Sequence, residues 1–143
     1  MTRRLSRTNT RATEGSALVE SALALLLVSV VAIGIADIGQ VLVFHQGVVD
    51  RAKVGARWAV TNPYDSNRIK NVILYSTPDP QPGARALLRL EPDMITTALL
   101  DANTAEARIM VSIRDYRFYF FSPFISGAKT ARPIAVSMPL EEK

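Results

Sequence analysis

The length, composition and charge of the chain exclude several classes of protein. Its 143 residues are 48% hydrophobic, enough for one membrane helix and one small domain but not for two full domains. There is no cysteine, so neither disulfides nor thiolate metal sites can stabilise the fold. The net charge of +4 comes mainly from four arginines in the first 15 residues, and the rest of the chain has 13 basic and 12 acidic residues. This nearly neutral remainder argues against a nucleic-acid-binding protein.

The dominant feature of the sequence is an apolar stretch from Gly15 to Ile35. Between Ser16 and Ala36, 21 residues include one ionisable side chain, that of Glu20. At about 1.5 Å per residue, a helix of this length spans roughly 30 Å, which matches the hydrocarbon core of a bilayer. We therefore predict a transmembrane helix over residues 16–36. The arginines before it predict a cytoplasmic N-terminus and an extracytoplasmic head, by the positive-inside rule.

Two other targeting signals fit the N-terminus less well. A secretory signal peptide has an apolar core of about 7 to 15 residues with its cleavage site behind it, whereas this core is longer. The Arg3-Arg4 pair is typical of a twin-arginine signal, but polar residues follow it here. We therefore interpret residues 1–15 as a basic leader peptide and expect residues 2–13 to lack regular structure in water.

The spacing of Gly15 and Glu20 resembles the processing site of type IV pilin-like proteins. In that family a membrane aspartyl peptidase, the prepilin peptidase, cleaves after the glycine, and the fifth mature residue is glutamate. The resemblance implies cleavage between Gly15 and Ser16. The amine released on Ser16 would be largely protonated at neutral pH and could pair with Glu20 of the same chain or of a staggered neighbour during assembly. The alternative is an ordinary signal anchor that tolerates a glutamate near the membrane interface.

Helical periodicity continues beyond the apolar stretch to Asn62, because Pro63 disfavours a helical residue before it. Apolar residues at three-four spacing predict that residues 37–62 are an amphipathic continuation of the membrane helix, about 45 residues and roughly 65 Å in all. A second apolar line on roughly the opposite side contains Val43, Val54 and Trp58. Two apolar lines predict two partners, the protein's own head and neighbouring subunits. The first line consists of Ile38, Val41, Leu42, His45, Val48, Val49, Ala52, Ala56 and Ala59.

The run Ala52-Lys53-Val54-Gly55-Ala56-Arg57-Trp58-Ala59 extends the resemblance. It is similar to the Ala-x-x-Gly-Ala-Arg-x-Ala run that follows the membrane helix of TadE-like proteins, the minor pilin-like components of tight-adherence pilus systems. With the processing site and the Asp37-Ile38-Gly39 step, the resemblance covers about 45 residues. It implies helix packing through Gly55, Ala56 and Arg57, and assembly with other pilins or pseudopilins and the pilus assembly machinery. A simpler interpretation is that small residues only permit close helix packing here.

Residues 63–143 are predicted to form a small α+β head. The β-branched and aromatic run Asn71–Tyr75 predicts a strand. Pro92 followed by apolar residues at helical spacing predicts a short helix over Pro92–Leu100. Alternating apolar residues predict strands over Ala107–Ile113 and Ala131–Met138, the second pairing with the first.

Six of the ten aromatic residues lie between Tyr116 and Phe124. We expect this cluster to pack in the head against the long helix. A subunit or surface contact is the second interpretation, and base stacking is disfavoured because only Arg114 and Arg117 supply positive charge nearby. His45 is the only histidine and lies on the first apolar line, so we predict a packed or subunit-contact histidine rather than a ligand.

No set of residues in the sequence predicts catalysis. There is no phosphate-binding glycine loop and no nucleophile motif, so we predict a protein that is not an enzyme and has no cofactor, metal site or nucleic-acid partner. The leading hypothesis is a TadE-like minor pilin or pseudopilin of the bacterial inner membrane and, after assembly, of the pilus. Its partners would be the prepilin peptidase, other pilins and membrane lipid. The competing hypothesis is an uncleaved, signal-anchored envelope protein whose extracytoplasmic head binds a ligand or an envelope partner.

Overall fold

A computed structural model describes residues 10–102, 104, 106–122, 125 and 127–140. One long helix, α1 (Thr10–Thr61), precedes a small head with the α+β composition predicted from the sequence. Two single 3-10 turns, at Leu87–Arg89 and Pro92–Met94, lead into the strands of the head. The other elements are α2 (Ser66–Tyr75), β1 (Ile95–Leu100), β2 (Arg108–Ile113), β3 (Arg117–Phe118), β4 (Lys129–Thr130) and β5 (Ile134–Pro139).

The long helix has 52 residues, so it extends about 78 Å at 1.5 Å per residue. It ends at Thr61, two residues before Pro63, which agrees with the predicted end. It begins at Thr10, earlier than expected, so the prediction of irregular structure is wrong for residues 10–13. Extending an existing helix adds one hydrogen bond for each residue that becomes ordered, which explains why α1 continues into the polar N-terminal residues. Residues 1–9 lie outside the described residues.

The main sheet is antiparallel and has the strand order β1-β2-β5. In its register Ile113 lies opposite Ile95 of β1 and opposite Ile134 of β5. The predictions of β2 and of β5 as its partner are therefore confirmed. Alternate residues of β2, namely Ile109, Val111 and Ile113, are fully buried and form the inner face of the sheet. Strands β3 and β4 form a separate two-stranded sheet.

Residues 71–75 belong to α2, so the strand predicted there is wrong. Asp65 caps this helix by accepting the backbone N–H groups of Asn67 and Arg68 at 2.9 and 3.2 Å. Ser76 ends it in the left-handed conformation, with its N–H bonded to the carbonyl of Val72. Ile69, placed one turn before Val72 and Ile73, completes a buried helical face. The apolar run alone was too short to distinguish the two periodicities.

Residues 92–100 were predicted to form a helix, and this prediction is also wrong beyond Met94. The 3-10 turn at Pro92–Met94 is followed by β1, in which all six residues are paired with β2. The β-branched side chains of Thr96 and Thr97 favour a strand, and the pairing with β2 outweighs the weak helical spacing of the apolar residues.

The core of the head lies between the sheet, α2 and the upper part of α1. Four small or medium side chains of the first apolar line are fully buried, and they are Val48, Ala52, Ala56 and Ala59. Gly55 is buried beside them. A Cβ atom on Gly55 would overlap the side chain of Ile73, lying 2.7 Å from its Cδ1, so Ile73 of α2 packs directly on the backbone of α1 at Gly55.

This close approach predicts that Gly55→Ala destabilises the head. Overpacking costs about 1–3 kcal/mol, and the better helix propensity of alanine offsets about 1 kcal/mol of it. We expect a net loss of up to about 2 kcal/mol in the free energy of unfolding, measured by urea titration of Trp58 fluorescence in detergent. Gly39→Ala is the matched control, because its Cβ would meet nothing within 4 Å. Equal stability of the two variants would contradict the packing described.

Candidate functional site

The N-terminal half of α1 is the candidate membrane anchor. Every side chain from Gly15 to Ala36 is exposed, and none of this stretch is covered by the head. Within the described chain, α1 is the one helix that is long and apolar enough to cross a membrane. The hydroxyls of Ser21 and Ser29 each donate to the carbonyl four residues earlier, so both are satisfied inside the helix.

The predicted processing and assembly residues lie on this uncovered stretch. Gly15 is inside α1 and has open space around the position of a Cβ atom. Ser16 follows it and is exposed. The side chain of Glu20 is also exposed, and it forms no hydrogen bond or ion pair with any residue that the structure describes.

The predicted helix-packing residues occupy two sides of α1. Gly55 and Ala56 are buried, with Gly55 directly against Ile73 of α2. Arg57 is exposed, so its side chain is accessible to a partner.

A buried carboxylate joins α1 to the head where the apolar stretch ends. Asp37 is only 4% exposed. Its Oδ1 accepts the backbone N–H of Phe121 at 2.5 Å, and its Oδ2 accepts the backbone N–H of Ser122 at 3.0 Å. Hydrogen bonds to an ionised acceptor are stronger than neutral ones, so Asp37 holds the 121–122 backbone firmly on the helix.

Two more polar residues of α1 bind the same segment of the head. The side-chain amide of Gln40 donates to the carbonyl of Tyr119 at 3.2 Å. Nδ1 of His45 lies 2.6 Å from the hydroxyl of Tyr116, and the two rings are 6.2 Å apart. We call this set of contacts, between Asp37, Gln40 and His45 of α1 and residues 116–122 of the head, the aromatic junction.

The aromatic cluster is divided between core and surface, so the expectation that it packs inside the head is only partly right. Tyr116 is 1% exposed and packs on Phe44 of α1. Phe118 and Phe120 are half-buried and meet edge to face at 5.5 Å. In contrast, Tyr119 and Phe121 are exposed. Alternation along an extended backbone explains the division, because successive side chains point to opposite faces. Phe124 lies outside the described residues.

Sequence reasoning did not identify Asp37 and Gln40 as binding residues for the head. Asp37 was noted only as part of the resemblance to TadE-like proteins. The position of Asp37 was the available signal for a binding role. A carboxylate directly after an apolar run needs hydrogen-bond donors if the folded chain buries it. Which donors it meets depends on the tertiary fold, since Phe121 is 84 residues away in sequence.

Burial raises the pKa of Tyr116 above its usual value near 10. The protonated phenol therefore stabilises the head below about pH 10, and this contribution is lost as the pH rises through the higher pKa of the folded state.

Tyr116→Phe should cost about 0.5–1.5 kcal/mol at neutral pH through the lost hydrogen bond, yet show a weaker decline in stability at alkaline pH. Urea titrations at several alkaline pH values would measure this. The control Tyr119→Phe, at an exposed position, should decline as the wild type does. A similar alkaline decline in Tyr116→Phe would contradict the assignment.

Among the described residues, no three histidine, aspartate or glutamate side chains lie close enough together to hold a metal ion. Comparison with protein families, with curated proteins and with solved structures finds no match to this chain.

Proposed function

We propose that this protein is a TadE-like minor pilin or pseudopilin, a structural subunit rather than an enzyme. Residues 16–36 anchor it in the bacterial inner membrane, with the N-terminus in the cytoplasm and the head outside. A prepilin-type peptidase removes the leader after Gly15, and the mature chain takes part in pilus assembly or adhesion with other pilins. The observation that carries this proposal is the uncovered apolar stretch of α1 over residues 15–36, whose single charged side chain, Glu20, has no partner among the described residues.

The energetics of Glu20 support processing and assembly together. A carboxylate at the centre of a bilayer costs about 2.5–3.5 kcal/mol, and less near either end of the span. A cation is needed to offset this cost. Cleavage after Gly15 creates one, because the new amine of Ser16 is largely protonated at neutral pH. The same amine on a staggered neighbour would give an ion pair between subunits, which links processing to assembly.

The second apolar line of α1 supports contacts with neighbouring subunits. The head covers the first line from Val48 to Ala59 but leaves Val43 75% exposed and Val54 44% exposed. Trp58, the third member, is half-buried against the head core and contributes less free surface. A helix with exposed apolar residues on the side away from its own head suits packing against other helices.

The mass of the protein extracted from membranes tests this proposal. In cells that contain a prepilin peptidase, the mature chain should begin at Ser16. The same protein made without the peptidase, and the variant Gly15→Val made with it, should both retain the leader, because a side chain at this position blocks close approach of the backbone to the peptidase. An intact leader on the wild-type protein would contradict processing. It would favour the uncleaved, signal-anchored envelope protein with a binding head.

A further inference from the structure

The base of the head lies at a defined depth relative to the apolar stretch. Phe121 and Ser122 are bonded to Asp37, which directly follows the 21 residues of the predicted span. These 21 residues rise roughly 30 Å, the thickness of the hydrocarbon core. If the helix spans the membrane, the 117–122 segment lies at the outer boundary of that core, where the lipid headgroups begin.

The side chains presented at this boundary are those that suit a headgroup layer. Tyr119 is 51% exposed and Phe121 is 73% exposed, although the aromatic residues between and beside them are half-buried. The helix next to the junction also presents apolar side chains, with Ile38 63% exposed and Leu42 59% exposed. Aromatic residues are enriched at the level of the headgroups, where the ring meets the acyl boundary. A group of apolar side chains this exposed is unfavourable in contact with water, so it indicates a surface that contacts a less polar phase.

Two arginines add positive charge beside the aromatic rings. A cleft of about 300 Å³ is lined by Arg89 and Arg117 together with Gln40, Phe44, Phe118 and Tyr119, and no acidic residue lines it. The same arginines border a second cleft with Glu91, Asp93 and Asp115, so the region has no large net charge. This pattern suits local contacts with the phosphate groups that every phospholipid carries, and not a general attraction to anionic membranes.

We propose that Tyr119 and Phe121, with Arg89 and Arg117 beside them, form a second membrane contact that lies in the outer headgroup layer of the bilayer spanned by α1. The proposal rests on the membrane anchoring in the proposed function. Asp37 sets the depth of this contact, because it fixes the backbone of residues 121–122 to the end of the span. The head, which packs along α1 from Asp37 to Ala59, then also contacts the membrane surface at its base.

The absence of cysteine from the chain allows a direct measurement of depth. The full-length protein is reconstituted in phosphatidylcholine vesicles with a nitroxide label on Phe121→Cys, and its accessibility to oxygen and to a water-soluble nickel chelate is measured by EPR. Two exposed positions of α1 serve as controls. Leu27→Cys marks the bilayer core, and Lys53→Cys, roughly 24 Å above Asp37, marks the aqueous phase.

The label at residue 121 should show an oxygen-to-nickel accessibility ratio several-fold above that at residue 53 and below that at residue 27. A ratio equal to that at residue 53, with residue 27 in lipid, would overturn the second contact and leave the anchoring intact. If residue 27 were accessible to nickel, both the anchoring and the second contact would fail. Low accessibility of residue 121 to both reagents, with spin–spin broadening between labels, would overturn the proposal in favour of a second copy of the chain on this surface.

Discussion

Asp37→Ala should release the backbone of residues 121–122 from α1 and lower the free energy of unfolding of the head by about 3–6 kcal/mol. The substitution removes two hydrogen bonds to a charged acceptor, each worth about 1.5–3 kcal/mol, and leaves the backbone N–H groups of Phe121 and Ser122 without that acceptor. The expected result is a lower urea midpoint in detergent and a faster hydrogen exchange of these two amides, while the exchange of α2 changes less.

Two further variants separate the role of Asp37 from a general effect of charge. Asp37→Asn keeps one acceptor oxygen but places an NH2 group against the other donor, so we expect a smaller yet clear loss. Asp50→Ala removes an exposed carboxylate whose nearest cation, on Lys53, is 3.8 Å away, so stability should change by less than about 1 kcal/mol. An Asp37→Ala protein with unchanged exchange at residues 121 and 122 would show that the junction does not depend on this carboxylate.

Glu20→Ala should leave insertion and cleavage intact but weaken assembly with co-expressed pilin partners by about 2–3 kcal/mol, roughly a hundredfold. The reason is that the Ser16 amine of a neighbouring subunit would lose its counter-ion in surroundings of low dielectric constant. Crosslinking of the processed protein in membranes, followed by quantification of the complexes, measures this effect.

Glu20→Gln is the sharper variant, because it keeps the size and hydrogen bonding of the side chain and removes only the charge. An ion pair between subunits requires Gln to fail almost as severely as Ala. Ser21→Ala is the matched control, since Ser21 is the adjacent exposed residue and its hydroxyl bonds only within the helix. Complexes that form normally with both Glu20 substitutions would remove the main physical support for the pilin proposal.

The features predicted correctly from the sequence are those with a strong signal within one segment of the chain. The end of α1 follows from Pro63, and β2 and β5 follow from alternation in chain segments that pack one face on the core. Two of the wrong predictions, a strand over residues 71–75 and a helix over residues 92–100, concern short apolar runs. In residues 71–75 the decisive signal was the cap at Asp65, six residues upstream. Residues 95–100 form a strand because they pair with β2, and no local sequence pattern indicates this pairing.

The candidate site was predictable where it depends on spacing along one helix. Gly15, Glu20 and the small residues around Gly55 could be singled out because their neighbours on α1 follow from helix geometry. The aromatic junction could not, since it brings together α1 and residues roughly 70–85 positions away. The sequence predicted that the aromatic cluster packs in the head against α1. Only the fold shows that Tyr116 is in the core while Phe121 remains on the surface.

The uninterrupted course of α1 has a mechanical consequence. No proline precedes Pro63, so the hydrogen-bonded helix runs from Thr10 to Thr61 without a hinge of that kind. The head lies alongside the helix from Asp37 to Ala59 rather than at its tip. A tensile load along the helix axis would therefore shear this whole row of contacts at once instead of peeling them apart one by one. Force applied to the head would reach the N-terminal half of α1 through one continuous helix.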